Sequence, residues 1–179
     1  LRMSVIPTIA PFLLPSLLPR LRAERPELKL YLREETSAAA CASLHQGQVD
    51  CVLLALPYAC GDVDHAELFS DRLLFAFPHE MAEGLPDQVK PNSIDPSQLL
   101  LLEDGHCLKD HALAACNRPE MRAGVRMMGT SLHTIVQMVD NGLGVTILPE
   151  MAVEAGLLAP TQIVTRPMDS DEDARSIAL

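Results

Sequence analysis

The amino-acid sequence predicts an α/β chain of two doubly wound subdomains, the second inserted into the first, which closes again near residue 176. Three observations carry this. Over the first 56 residues the pattern runs strand, helix, strand, helix, strand, which is the βαβ grammar of such folds. Near-continuous apolar runs at 49–56, 98–102 and 145–148 suit strands covered on both faces, as in a parallel sheet. A length of 179 residues with 48% hydrophobic and 21% charged side chains is a globular composition. A chain of that size buries roughly 70% of its unfolded surface, enough for one large or two small domains.

The elements follow in order. Leu1 to Ile6 is a short strand closed by Pro7. Leu14, Leu17, Leu18 and Leu21 recur at helical spacing; Pro11 and Pro15 suit the approach and first turn, whereas Pro19 should bend the helix. Glu24-Arg25-Pro26 ends it. Between Glu27 and Glu34, leucines alternate with Lys29, Tyr31 and Arg33, as in a half-buried strand. Thr36-Ser37 is an N-cap signal for a helix that runs through Cys41 to Gly47, and the apolar run 49–56 makes the third strand. A loop at 60–64 leads to a strand from Asp71 to Phe77, and 81–96 reads mostly as loop. Gln98 to Leu102 is a buried strand, followed by a helix to about Cys116 that Asn117-Arg118-Pro119 stops. Val125 to Met128 is a strand; Thr130-Ser131 caps a helix bearing Leu132, Ile135, Val136 and Val139; Val145 to Leu148 is a strand halted by Pro149. A short helix (150–155), a strand near 163–166, an acidic loop at 169–173 and a strand from Ser176 complete the chain. The expected division is 1–70 with 176–179 for the first subdomain, and 71–175 for the second.

Composition excludes several functions. A net charge of −10 with only 14 scattered basic residues argues against nucleic-acid contact by these residues, since phosphate binding needs clustered Lys and Arg. No apolar run approaches the roughly 18–20 residues that span a bilayer, so no membrane partner is expected. The opening LRMSVIPTIAP has neither the basic nor the apolar region of a secretory signal, which points to a cytoplasmic protein. A start at Leu1 suits a piece of a longer chain. Five cysteines, an odd number, argue against a disulfide scaffold and for a reducing compartment. Cys41 and Cys51 then read as small buried fillers, and Cys60 as a filler or an inert surface thiol.

Thr8, Ser37, Gly105-His106 and Thr130-Ser131 each follow a strand and precede a helix. In this fold class such segments line one crevice, where free helix N–H groups favour a small anion or a polar oxygen ligand. Within them, the segment Gly105-His106-Cys107-Leu108-Lys109-Asp110-His111, with Cys116 beyond, concentrates reactive groups. An N-cap at Asp104 would place Cys107 at the third helical position. There the helix dipole, His106 and Lys109 favour a thiolate, while Glu103 and Asp104 oppose it. Nine residues make about two and a half turns, so Cys116 sits on the opposite face, roughly 13–14 Å along the axis. A disulfide needs Cα atoms roughly 4.4–6.8 Å apart. Either the two cysteines never bond, or bonding melts the helix and drives a switch. Cys107 and His111, four apart, share a face that suits a metal, but no second ligand pair accompanies them, so no metal is predicted. His45, His65, His79 and His133 read as surface groups. No phosphate loop, nucleophile elbow or HExxH motif is present, and no cofactor is expected.

The stretch Leu102 to Asp110 with Cys116 resembles the redox-sensing segment of the hydrogen-peroxide-responsive members of the LysR-type transcriptional regulators. The likeness extends over essentially the whole chain, through Val5-Ile6-Pro7-Thr8, Gly47-Gln48-Val49-Asp50-Cys51, Thr130-Ser131-Leu132 and Gly142 to Pro149. It implies a regulatory domain of two Rossmann-like subdomains, similar to type II periplasmic binding proteins, and not an enzyme. By this resemblance Cys107 is the thiolate that peroxide oxidises to sulfenic acid, and Cys116 resolves it as a disulfide. Thr8, His106 and Asp110 match positions that hold peroxide or assist its reaction. Ser37 stands where relatives usually carry Thr, and Thr130 belongs to the same ligand-facing set. Lys109 replaces an Arg, and Arg126 stands where some relatives have His. The resemblance also implies a homodimer or homotetramer, an N-terminal winged helix-turn-helix outside these residues, an activator role, and DNA and RNA polymerase as partners of the full-length protein. Competing readings are an effector domain that binds a small organic anion and uses its cysteines only for packing, a thiol peroxidase, and an exported solute-binding protein.

Overall fold

The structure is a computed structural model and describes residues 1–117 and 127–179. β1 (Arg2–Val5), α1 (Ala10–Glu24), β2 (Tyr31–Glu34), α2 (Ser37–His45) and β3 (Cys51–Leu56) form the expected alternation, with β1 parallel to both β2 and β3. After these come β4 (Glu67–Phe77), α3 (His79–Ala82), β5 (Leu99–Leu102) and α4 (Cys107–Ala115). β6 (Met127–Gly129), α5 (Leu132–Asp140), β7 (Val145–Pro149), α6 (Glu150–Glu154), β8 (Val164–Pro167) and β9 (Ala174–Ala178) follow.

Among the described residues the nine strands make one sheet, in the order β2-β1-β3-β9-β4-β7-β5-β6, with β8 also on β4. The sheet is mixed. β9 runs antiparallel to β3 and β4, and β4 runs antiparallel to β7 and β8, whereas β5 is parallel to β6 and β7. Apolar runs predict burial on both faces but carry no strand direction, so the parallel sheet read from them holds only for β1 with β2 and β3, and for β5 with β6 and β7. β4 begins at Glu67, four residues before the predicted start; its exposed first half pairs with β9 and its buried second half with β7 and β8.

Two apolar clusters sit along this sheet. One gathers Val5, Ile6, Ile9, Val52, Leu53 and Ile177; the other gathers Phe75, Phe77, Leu100, Ile135, Val139 and Ile147. β2 departs from the half-buried strand predicted for it, because all four of its residues are exposed on the outer edge of the sheet. α1 runs through Pro15 and Pro19. Pro11, Pro15 and Pro19 recur every four residues on its exposed face, so the carbonyls they leave without an N–H partner lie toward water.

A second correction concerns the cysteines. Cys41 on α2 and Cys60, in the loop after β3, are joined by a disulfide across a Cα separation of 5.4 Å. They are not the fillers that the odd count implied. The α2–β3 hairpin brings residue 60 back beside residue 41, a proximity that parity cannot register. Cys51, Cys107 and Cys116 are not disulfide-bonded.

The entry to β7 depends on Gly144, whose φ of 156° is one side chains rarely adopt. A Cβ there would strike the Gln98 carbonyl and crowd Leu100, both at the start of the neighbouring β5. Gly144→Ala should therefore lower stability by about 1–3 kcal/mol, seen as a lower urea midpoint with an unchanged slope.

Candidate functional site

The site is built around a charge that the sequence analysis did not single out. Asp71 on β4 and Arg175 on β9 are directly opposite each other in the antiparallel ladder, so their side chains leave the sheet together. Arg175 Nε donates to Asp71 Oδ2 at 3.0 Å, Nη2 lies 2.9 Å from the same oxygen, and both side chains are buried. Arg175 Nη1 donates to Thr8 Oγ1 at 2.8 Å and Nη2 to the Thr8 carbonyl at 3.0 Å. Asp71 Oδ1 in turn accepts from the Met151 amide at the start of α6, at 3.0 Å. The arginine is thereby paired, and Thr8, with its hydroxyl oxygen used as an acceptor, keeps its own proton to donate.

Cys107 lies near this pair. It is the first residue of α4, capped by His106 in an extended conformation, rather than the third residue after an Asp104 cap. Gly105 takes φ 98°, outside the helical region, and the backbone becomes helical only at Cys107. Cys107 is 1% exposed and packs into the cluster of β1, β3 and β9, whereas Leu108, Ala112, Leu113 and Cys116 pack into the other. Its sulfur is thus carried from one half of the molecule into the core of the other.

Burial pushes the Cys107 thiol up; the Ser37 hydroxyl, the Arg175 charge and the Ala55 backbone oppose this, and Asp110 reinforces it. Ser37 Oγ is buried without an ordinary hydrogen-bond partner, and its dipole acts on the sulfur. The expected activators are not the ones found. Lys109 turns away to pair with Asp104 at 2.8 Å, and burial holds the His106 imidazole below its usual pKa, against a smaller opposing pull from Glu103. The cation serving Cys107 comes from β9, more than sixty residues further along the chain.

Other predicted residues fall around this centre. Asp110, half-buried on the next turn, acts on both Cys107 and Tyr58. His111, one turn beyond Cys107, places Nε2 3.0 Å from the Pro57 carbonyl and keeps Nδ1 unpartnered; burial lowers its pKa. That geometry makes it a strut rather than a metal ligand, and no three His, Cys, Asp or Glu gather for a metal among the described residues. Thr130 is exposed, beside the turn that leads to α4, where the Glu103 amide donates to the Gly129 carbonyl at 3.1 Å. Its neighbour Ser131 is the N-cap of α5, with Oγ accepting from the Thr134 amide. Arg126 and the predicted strand start at Val125 lie outside the described residues. Cys116 is the buried C-cap of α4, and Asn117 follows with φ 51°. No helix among the described residues is long and apolar enough to cross a membrane.

Comparison with known proteins places this arrangement. The family model described as the LysR substrate binding domain matches residues 1–179. This chain belongs to that family. A relative, the HTH-type transcriptional regulator EstR of Acinetobacter baylyi, is 39% identical over 163 residues, covering 88% of this chain and 52% of the relative. A probable hydrogen peroxide-inducible genes activator of Streptomyces viridosporus is 36% identical over 181 residues, covering all of this chain and 58% of the relative. The LysR-type chain therefore spans little more than half the length of these relatives. The reduced form of the OxyR2 regulatory domain of Vibrio vulnificus superposes with a TM-score of 0.92 at 34% identity, over 99% of this chain and 84% of that one.

Asp71 and Arg175 were missed, although one signal existed: each is a charged residue in a strand whose neighbours become core, Asp71 at the head of Leu73 to Phe77 and Arg175 before Ile177. Arg175→Ala should cost about 3–5 kcal/mol by stranding Asp71, and Arg175→Met with Asp71→Leu should recover most of it in urea denaturation. His106 and His111 have folded pKa values below the unfolded one, so their contribution to stability is present above about pH 6.5 and is lost as pH falls through the folded values. The urea midpoint should drop on acidification, and the drop should shrink in the His106→Asn, His111→Asn double variant.

Proposed function

We propose that this LysR-type domain is the peroxide-sensing half of a transcriptional regulator. One observation carries the reading: a buried cysteine outside any disulfide starts a short helix, and a second such cysteine closes it. Relatives named as hydrogen peroxide-inducible activators support it. Hydrogen peroxide enters beside Cys107, with Thr8, Ser37 and Asp110 positioned to orient its oxygens. The Cys107 thiolate attacks the nearer oxygen, the O–O bond breaks, and hydroxide leaves and takes a proton, giving Cys107–SOH and water. The Cys116 thiol then displaces the hydroxyl group as water and the disulfide forms.

The second step requires α4 to unwind, because a nine-residue helix keeps its ends far apart. Such a helix is marginal without its packing contacts. Gly105 and Asn117, both at positive φ, stand at its two ends and permit a local change of path. Unwinding withdraws Cys107 from one apolar cluster and Cys116 from the other, so the junction between the halves changes with oxidation. In this reading the halves correspond to 1–70 with 176–179 and to 71–175. The altered surface shifts a dimer or tetramer, and a separate N-terminal helix-turn-helix conveys the change to DNA and RNA polymerase in the cytoplasm.

A stoichiometric peroxide pulse followed by alkylation and peptide mapping should yield a Cys107–Cys116 linkage, with far-UV circular dichroism losing the signal of about one short helix. Cys107→Ser should abolish both changes, and Cys116→Ser should leave a sulfenic acid that a dimedone-type reagent traps. If both thiols stay free while a small organic anion raises the melting temperature, the domain is a metabolite sensor instead.

A further inference from the structure

We propose that Cys41 and Cys60 form a second, reversible thiol–disulfide switch, and that its disulfide form holds the two segments that close over Cys107. The pair is not part of the Cys107–Cys116 helix but shares an apolar cluster with Cys107. Its Cα separation of 5.4 Å falls within the range for a disulfide, while Cys51, Cys107 and Cys116 remain thiols.

The placement gives the bond its consequence. Ser37, Cys41 and His45 recur every four residues along one face of α2. Ser37 acts on the Cys107 sulfur, Cys41 carries the disulfide, and His45 Nε2 lies 2.7 Å from the Cys60 carbonyl. On the other side of the bond, Cys60 lies three residues after Pro57, whose carbonyl meets His111 Nε2 at 3.0 Å. His111 is one turn from Cys107 on α4. The covalent bond therefore joins α2, which presents Ser37 to the thiol, to the loop that anchors the thiol's own helix. Reduction removes the covalent link and leaves the His45–Cys60 carbonyl contact between the same two segments.

Cys60, 8% exposed, lines an open cavity of about 820 Å³ together with Leu44, Cys51, Tyr58 and Val63. A small thiolate reaching Cys60 displaces Cys41 as a thiolate, which takes up a proton; a second small thiol attacks the mixed disulfide, frees Cys60, and leaves as the small-molecule disulfide. In the reverse direction, one hydrogen peroxide takes two electrons from the two thiols and yields two waters. In a reducing compartment the disulfides that form are transient ones of this kind.

The test uses the whole 179-residue chain, equilibrated in graded ratios of reduced to oxidised glutathione, quenched by alkylation and mapped. The Cys41–Cys60 linkage should appear and vanish reversibly while circular dichroism stays native. In the pair-reduced chain, native-state alkylation of Cys107 should be roughly fivefold faster, as local opening frees the buried sulfur. Cys41 and Cys60 alkylated at every ratio, a linkage that yields only when the chain unfolds, or equal Cys107 rates in both states would each overturn the proposal. The readout at Cys107 uses an alkylating reagent, so a failure of that thiol to react with peroxide bears on sensing alone.

Discussion

A guanidinium taken out of water must have its donors satisfied where they point, and Arg175 meets that demand with groups from distant parts of the chain. Asp71 comes from the opposite strand, and Thr8 supplies both its hydroxyl and its carbonyl from the turn after β1. Asp71 spends its other oxygen on the start of α6. The register of β4 against β9, the entry to α1 and the seat of α6 are thus coupled through one buried pair, and losing either partner strands a charge. That same positive charge works against the burial that raises the Cys107 thiol. The interaction that locks the sheet also places a positive charge that partly offsets the effect of burial on the thiol.

The second constraint is the divided loyalty of α4. Its first residue packs with one apolar cluster and the rest of its buried face with the other. Lys109–Asp104 and the Ser170 hydroxyl on the Ala115 carbonyl hold the helix from outside. None of these contacts belongs to a long helix with stability of its own, so packing is what keeps it folded. Cys107 therefore stands at the junction of two cores rather than in the middle of either.

What was legible in the chain was what depends on near neighbours. The βαβ opening, the helix carrying Ile135 and Val139, and the strand at Val145 follow from periodicity over a few residues and its punctuation by Pro and Gly. The segment Gly105 to Cys116 stood out by its concentration of Cys, His, Lys and Asp, but only its resemblance to a redox-sensing segment, and not its spacing, pairs the two cysteines. Leu28, Leu30 and Leu32 alternate like a half-buried strand, but β2 is only four residues long and lies at the sheet edge, exposed throughout. His106 and Lys109 were plausible activators because they adjoin Cys107, yet adjacency along a helix start says little about which way a side chain points.

The sequence by itself determined an acidic α/β domain, its order of strands and helices, and two cysteines nine residues apart at the ends of one helix. The tertiary structure decided strand direction, the cation that faces Cys107, and the partnership of Cys41 with Cys60. The reason is one of range. Periodicity, capping and helix rise are local and can be counted along the chain. Residues 71 and 175, or 41 and 60, meet only after the sheet has brought their strands and loops together, and no count along the chain measures that distance.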